Sequence, residues 1–164
     1  MLSKGKRSNV SQSHGAMGAN ERHYYFALYG HSNFVAEVLK ITPALLCSQN
    51  KKNETALHIA VNEGHAEVVR VLLACVEDHN TKEKLTRMTD ASGDTALHKA
   101  VQSQHLDVVK LLVKEDSEFE FPPNHAQETP LYLAAESGFH DALIIMNAPV
   151  PLGSYLQLCI CISE

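Results

Sequence analysis

The stretch Thr95-Ala96-Leu97-His98-Lys99-Ala100 decides how this chain folds, because the same phrase occurs twice more. It is preceded by Thr55-Ala56-Leu57-His58-Ile59-Ala60 and followed by Thr129-Pro130-Leu131-Tyr132-Leu133-Ala134. A phrase that returns every 20 to 50 residues or so is typical of arrays whose units stack on their neighbours. The chain is therefore predicted to be a short repeat array, which offers an extended surface for a partner and no enclosed catalytic pocket.

Each copy predicts a turn, a short helix, a tight reversal and a second helix. In the second unit Asn53 stands where a positive φ is expected, and Thr55 caps the first helix through its hydroxyl. Gly64 ends that helix because it adopts the left-handed conformation most easily. The second helix is expected from His65 to Cys75. In the third unit Gln104 replaces this glycine, which predicts a slightly different helix end.

The pattern divides the chain into parts. A basic tail, residues 1–20, is expected to be disordered because it is polar and lacks hydrophobic periodicity. The array follows and contains a degenerate capping unit (21–53), a unit with an insertion (54–92), a regular unit (93–127) and a partial unit (128–146). Residues 147–164 are expected to be an irregular tail, since Pro149 and Pro151 break any helix.

Two parts of the array leave alternatives open. The insertion lies within 76–87 and is expected to lengthen the second helix or to form a short extra turn. The aromatic residues of the first unit either pack inside the cap or form exposed anchors for a ligand; they are Tyr24, Tyr25, Phe26 and Tyr29. The last unit ends on an apolar helix without a recognisable polar cap, which predicts an exposed hydrophobic patch.

Charge and hydropathy exclude several partners. The net charge is −5, but residues 1–22 carry four basic side chains and one acidic side chain, so the remaining 142 residues carry a net charge of −8. An acidic body repels phosphate backbones, so no nucleic acid is expected as a partner. No apolar run approaches the roughly 20 residues that span a bilayer, so no membrane insertion by this chain is expected. The N-terminus has no apolar signal region, which favours a cytoplasmic location.

Neither metal binding nor catalysis is expected from the sequence. Cys159 and Cys161 suggest a metal pair, but structural zinc needs four ligands. His58 and His65 lie seven residues apart, as do His98 and His105, and this spacing does not place two imidazoles on one helix face. No phosphate-binding or hydrolase motif is present. We therefore predict no cofactor, no metal and no enzymatic activity.

The three phrases, the Gly-His pairs and the Val-Val-x-Leu-Leu helices together resemble the ankyrin repeat family, over about residues 21–146. The wording is most similar to plant ankyrin proteins of the accelerated-cell-death class. The resemblance implies an all-α solenoid of helix pairs linked by β-turn or hairpin tips. It also implies that His58 and His98 bond the capping threonine and nearby backbone.

The function implied by the resemblance is that of a non-catalytic module that binds a protein partner on its concave surface, in plant defence or stress signalling. The implied contact positions lie at the hairpin tips and on the exposed side of each first helix. They are Leu28, Tyr29, Lys51, Lys52, Glu54, Asn62, Glu63, Ala91, Ser92, Asp94, Gln102, Ser103, His125, Ala126, Gln127, Glu136 and Ser137.

Two alternatives remain. Members of the accelerated-cell-death class carry further repeats and a C-terminal membrane domain. In the first alternative, the chain is the truncated cytosolic part of such a membrane-anchored signalling protein and is associated with the plasma membrane. The other alternative is a metal-binding or enzymatic protein.

Overall fold

A computed structural model describes residues 19–76, 79–116 and 122–147. Within these ranges the chain forms helices joined by short turns, with one isolated β-bridge between Thr89 and Thr95. The helices are α1 (Ala19–Leu28), α2 (Ser32–Ile41), α3 (Ala56–Asn62), α4 (Ala66–Ala74), α5 (His79–Arg87), α6 (Ala96–Gln102), α7 (Leu106–Glu115), α8 (Pro130–Glu136) and α9 (His140–Asn147), with a 3-10 turn at Pro43–Cys47.

The helices stack in two layers. Helices α1, α3, α6 and α8 lie side by side in the inner layer, and α2, α4, α7 and α9 lie side by side in the outer layer. The core is the seam between the layers and is formed by small and aliphatic side chains that the repeated phrase places at helical spacing, such as Leu57, Ala60, Val61, Val68 and Leu72. The predicted all-α solenoid of helix pairs is confirmed.

Local signals in the phrase explain where the first helices begin. The Thr55 hydroxyl accepts a hydrogen bond from the backbone N–H of His58, and the Thr129 hydroxyl accepts one from that of Tyr132. Each bond satisfies a backbone donor that the first helical turn leaves unpaired. The predicted cap at Thr55 is confirmed, and Thr129 forms the same cap in the fourth unit.

The first helices end alike, which corrects one expectation. Gln104 adopts φ +57°, so it keeps the left-handed conformation of Gly64, whose φ is +73°. The following N–H groups bond equivalent carbonyls, since His65 donates to Ala60 and His105 donates to Ala100. The prediction of a different helix end at Gln104 was wrong, because the same backbone cap outweighs the cost of a side chain in this conformation.

The tips between repeats are tight hairpins. The N–H of Asp90 donates to the carbonyl of Asp94 at 2.9 Å, and Asn50 and Asn124 make the same bond in the neighbouring tips. Asn53 has φ +58°, as predicted. Consecutive tips are also bonded to each other, because Ala91 donates to the Lys52 carbonyl at 2.9 Å and His125 donates to the Ser92 carbonyl at 3.0 Å.

The insertion forms a separate helix, α5. It neither lengthens α4, which ends at Ala74, nor forms a single turn. Leu85 is fully buried, and the Arg87 guanidinium donates two hydrogen bonds of 2.9 Å to the carboxylate of Asp116 at the end of α7. This tertiary anchor explains why the inserted residues form a helix of their own.

The predicted tails lie largely outside the described residues. Residues 1–18 and 148–164, with Cys159 and Cys161, belong to this part of the chain. Helix α1 begins at Ala19, so the last two residues assigned to the basic tail are helical.

Candidate functional site

The hairpin tips and the exposed sides of α1, α3, α6 and α8 form one surface, which we call the first-helix face. Its inner helices contact one another in sequence order. Its tips are bonded through their backbones, as described above. Backbone bonds of this kind do not depend on side-chain identity, so side chains can vary on a constant scaffold.

The structure exposes most of the predicted contact positions. Two of the remaining three, Glu54 and Ser103, are half-buried. The exposed ones are Leu28, Tyr29, Lys51, Lys52, Asn62, Glu63, Ala91, Ser92, Gln102, His125, Ala126, Gln127, Glu136 and Ser137.

Asp94 is the exception, and its prediction as a surface residue is corrected. It is only 4% exposed, and its Oδ2 lies 3.1 Å from the Lys99 ammonium. Its Oδ1 accepts a hydrogen bond of 2.8 Å from the Asn124 amide, and Gln102 donates to its Oδ2 at 3.2 Å. Asp94 therefore connects the tips of the third and fourth units and is not available to a partner.

Lys99 is the residue that the sequence interpretation missed. Its ammonium bridges Asp90 Oδ2 at 2.9 Å and Asp94 Oδ2 at 3.1 Å. Burial lowers the pKa of Lys99, but the hydrogen bonds of the two carboxylates outweigh it and raise the pKa overall. Burial raises the pKa of Asp90, but the hydrogen bonds that its carboxylate accepts from Lys99 and from the backbone N–H groups of Asp94 and Ser92 together outweigh burial, so the pKa of Asp90 is lowered. The sequence did contain a signal for this role, because the other two copies of the phrase have the apolar residues Ile59 and Leu133 at the position of Lys99.

A groove crosses the face between the first two units. Its volume is about 570 Å³. Five of its lining residues were predicted contact positions: Leu28, Lys52, Glu54, Asn62 and Glu63. Sequence reasoning did not assign the other three, Tyr24, Tyr25 and Ile59, to the contact set.

The aromatic residues of the first unit divide between the two alternatives. Tyr24 and Phe26 are partly buried against the core, and burial raises the pKa of Tyr24. Tyr25 and Tyr29 are 41% and 55% exposed, and their ring centroids lie 4.4 Å apart. One pair thus packs in the cap, and the other forms an exposed aromatic surface beside the groove.

The histidines of the phrase are structural. The Nδ1 of His58 accepts a hydrogen bond from the Thr55 backbone N–H at 3.2 Å, so Nε2 carries the proton and donates to the Asp94 carbonyl at 3.1 Å. His98 makes equivalent bonds with Thr95 and the Glu128 carbonyl. Burial lowers the pKa of both imidazoles, which favours the neutral form. These contacts agree with the turn network that the resemblance implied.

The described ranges also bear on two further classes of site, metal centres and membrane spans. No cluster of three or more His, Cys, Asp or Glu side chains there has the arrangement of a metal site. None of the helices described is long and apolar enough to cross a bilayer.

Comparison with known proteins identifies the architecture. The family model for ankyrin repeats (3 copies) matches residues 5–83 and 78–147. The chain belongs to the ankyrin repeat family. This ankyrin repeat protein therefore has the architecture of a protein-binding scaffold, in a family that is generally not enzymatic.

A curated relative and a solved structure agree with this assignment. The ankyrin repeat protein is 32% identical over 120 residues to Protein ACCELERATED CELL DEATH 6 of Arabidopsis thaliana, a match that covers 68% of the chain. It spans only 18% of that relative's length. A chain in the crystal structure of the yeast ribosomal protein Rps3 in complex with its chaperone Yar1 is 28% identical, with a TM-score of 0.69, and the match covers 76% of this chain and 87% of that one.

Proposed function

We propose that this ankyrin repeat protein binds another protein on its first-helix face and performs no catalysis. One observation carries the proposal: exposed side chains from all four units lie on a single surface whose tips are bonded backbone to backbone. Such a surface is already ordered before binding, which lowers the entropic cost of association. The solved structure of a chaperone complex that contains a similar chain supports a protein as the partner.

Similarity to the plant relative supports a more specific role. We place the module in plant defence or stress signalling on the basis of the identity with Protein ACCELERATED CELL DEATH 6. The cytoplasm is its proposed location. Lys51 and Lys52 beside Glu54 and Glu63 give the face mixed charge, which suits the steering of a partner.

A second candidate function is favoured by the coverage of that relative. Since the match spans 18% of the relative, the array would be one part of a longer protein. The resemblance to the accelerated-cell-death class implies that this longer protein is a membrane-anchored signalling protein and that the array is its cytosolic part. Sequencing the transcript tests this candidate: continuation in frame past Glu164 into further repeats and apolar spans would support it, and a stop codon there would reject it.

Quantitative affinity purification from the source tissue tests the proposed function. Three variants change separate parts of the face: Lys51→Glu with Lys52→Glu, Ala126→Arg, and Glu63→Lys. Glu67→Lys on α4 is the matched control, because this exposed residue lies in the outer layer and undergoes the same charge change. We expect recovery of a partner to fall for at least one face variant and to stay constant for the control. Equal recovery across all variants would reject the proposed function.

A further inference from the structure

We propose that the groove between the first two units binds an extended peptide in which an apolar side chain lies next to an arginine or lysine. This inference rests on the proposed function and specifies the partner's chemistry. The groove is lined by Tyr24, Tyr25, Leu28, Lys52, Glu54, Ile59, Asn62 and Glu63. Its volume of about 570 Å³ falls within the range of roughly 300–1,000 Å³ usual for ligand-binding clefts.

One part of the lining is apolar. Leu28 and Tyr25 on α1 are 40% and 41% exposed, and Ile59 on α3 is half-buried. These side chains converge from two neighbouring repeats on the same groove. An apolar side chain of a partner would remove their surface from water, which contributes about 25 cal/mol for each Å² buried.

The remaining part of the lining is polar and mainly acidic. Glu54 and Glu63 contribute two carboxylates against the single ammonium of Lys52. Each carboxylate already accepts one neutral hydrogen bond, Glu54 from the Asn50 amide at 2.9 Å and Glu63 from the Asn62 amide at 3.1 Å. A carboxylate has about four acceptor positions, so either can also accept the fork of an arginine.

The rest of the face makes this acidic character stronger. Lys51 and Lys52 place two cations on the face, but Glu128 and Glu136 in the fourth unit add to Glu54 and Glu63, so four carboxylates stand against two ammonium groups. Lys99 does not change this balance, because it is held by Asp90 and Asp94 and is only 18% exposed. The exposed ring of Tyr29, beside Tyr25, offers a flat surface on which a guanidinium can stack. Charge complementarity therefore favours a basic segment over an acidic one.

The walls of the groove are held in place before binding. Asn62 is fixed from the next repeat, because its carbonyl accepts from His105 Nε2 at 3.0 Å and its Oδ1 accepts from the Ser103 hydroxyl at 3.1 Å. Tyr24 is fixed on the other side by the hydrogen bond between its hydroxyl and that of Ser48 at 3.1 Å. A groove with ordered walls needs less reorganisation when a peptide binds.

Selection from a display library of random short peptides tests the inference directly. We expect the wild-type chain to enrich peptides with an apolar residue beside Arg or Lys. Fluorescence anisotropy with an enriched peptide should then show about tenfold weaker binding by Glu63→Lys and by Tyr25→Ala, and no more than about a twofold change for Glu67→Lys. Added salt should weaken binding to the wild type more than to Glu63→Lys.

Several results would overturn the inference. They are a selection without enrichment, enriched peptides that lack basic residues, and equal affinities for wild type and Glu63→Lys. A dimer of the chain in sedimentation that Tyr25→Ala abolishes would also overturn it, because the groove would then hold a second copy. Circular dichroism of each variant establishes that the fold is retained.

The two proposals fail separately. If the purified partner is lost with Ala126→Arg but retained with both Glu63→Lys and Tyr25→Ala, the proposed function stands and the groove inference is rejected. If no variant of the face changes recovery of the partner, the proposed function itself is rejected.

Discussion

The imidazole of His105 lies directly against the Cα of Gly64, so that a Cβ built on this glycine would stand 2.6 Å from His105 Cε1. The ring is held there by the hydrogen bond from its Nε2 to the Asn62 carbonyl at 3.0 Å. Gly30 and His65 form the same pair one repeat earlier, where a Cβ built on Gly30 would stand 2.9 Å from His65 Nδ1. Each glycine thus makes room for a histidine of the next repeat.

The third junction shows the reverse combination. Phe139 stands where the earlier repeats have His65 and His105, and Gln104 stands where they have glycine. Without the histidine ring, the position after α6 tolerates a side chain even at φ +57°. The two substitutions are therefore explained together by one contact.

Gly64→Ala is expected to destabilise the protein more than Gly138→Ala. Both glycines have positive φ, +73° and +68°, so both variants carry backbone strain of about 1 kcal/mol or more. Only Gly64→Ala also displaces the ring, since the nearest atom to a Cβ on Gly138 is 3.9 Å away. The lost histidine bond should add about 1 kcal/mol, measurable by urea unfolding. Equal losses for the two variants would show that the ring contact contributes nothing.

Gln104→Gly is expected to stabilise the protein. The left-handed conformation costs a non-glycine residue about 1 kcal/mol, and glycine removes this cost while adding some entropy to the unfolded chain. We expect a gain of up to about 1 kcal/mol in the free energy of unfolding, measured by thermal denaturation. A lower midpoint than that of the wild type would indicate that the Gln104 side chain makes a stabilising contact.

Lys99→Met is expected to destabilise the third unit strongly. The variant leaves Asp90 and Asp94 buried without their shared cation, and removal of one partner of a buried ion pair costs about 3 kcal/mol. Lys110→Met is the matched control, because this lysine is exposed and lies 3.8 Å from Asp107, which is also exposed. Surface pairs of that kind contribute less than about 1 kcal/mol. Similar unfolding free energies for the two variants would contradict the assignment.

Stability is expected to fall as the pH drops below the ordinary histidine value of 6.5. Burial lowers the pKa of His58 and His98 in the folded state, so the unfolded chain takes up protons first. Each imidazole then costs up to about 1.4 kcal/mol per pH unit until its folded pKa is reached. The effect of Asp90, whose pKa is lowered from 3.8, begins only at more acidic pH.

The double variant His58→Gln with His98→Gln should flatten this pH dependence. Glutamine does not titrate, and it can retain the reciprocal bond to the capping threonine. Unfolding by urea at a series of pH values between about 7 and 5 measures the slope. An unchanged slope in the double variant would assign the effect to other groups.

Leu97→Ala should lower the free energy of unfolding more than Thr95→Ala, because Leu97 is a core residue and Thr95 caps a helix. Leu97 is nearly completely buried, and its truncation is expected to cost about 2–5 kcal/mol. Loss of the Thr95 hydroxyl should cost about 1 kcal/mol. Ile144→Ala serves as a control for side-chain size. Because Ile144 is 69% exposed, its truncation should cost less than about 0.5 kcal/mol. The three unfolding midpoints are compared in urea, and a harmless Leu97→Ala would show that the register is misplaced.

Side-chain patterns predicted the helices well but the insertion poorly. Thr55 and Gly64 act through bonds to residues a few positions away, so their roles could be inferred from local sequence. The form of α5 depends on Leu85 and on the pair between Arg87 and Asp116, which are separated by 29 residues. No local rule anticipates a partner so far along the chain.

The candidate site shows the same division. The resemblance to ankyrin repeats indicated which positions of the tips and first helices are exposed, because each repeat reuses the same geometry. It failed for Asp94, which is buried by Lys99 and by Asn124 of the next tip. It also left Tyr25 and Tyr29 undecided between packing and exposure.

The repeated phrase by itself determined the family, the order of helices and the positions of their caps, because these follow from interactions within one repeat. Only the tertiary structure decided which charged residues are buried, how the insertion is anchored and which side chains line the groove. These features arise where two repeats meet, and contacts between residues that are distant in the chain are set by stacking, not by local sequence.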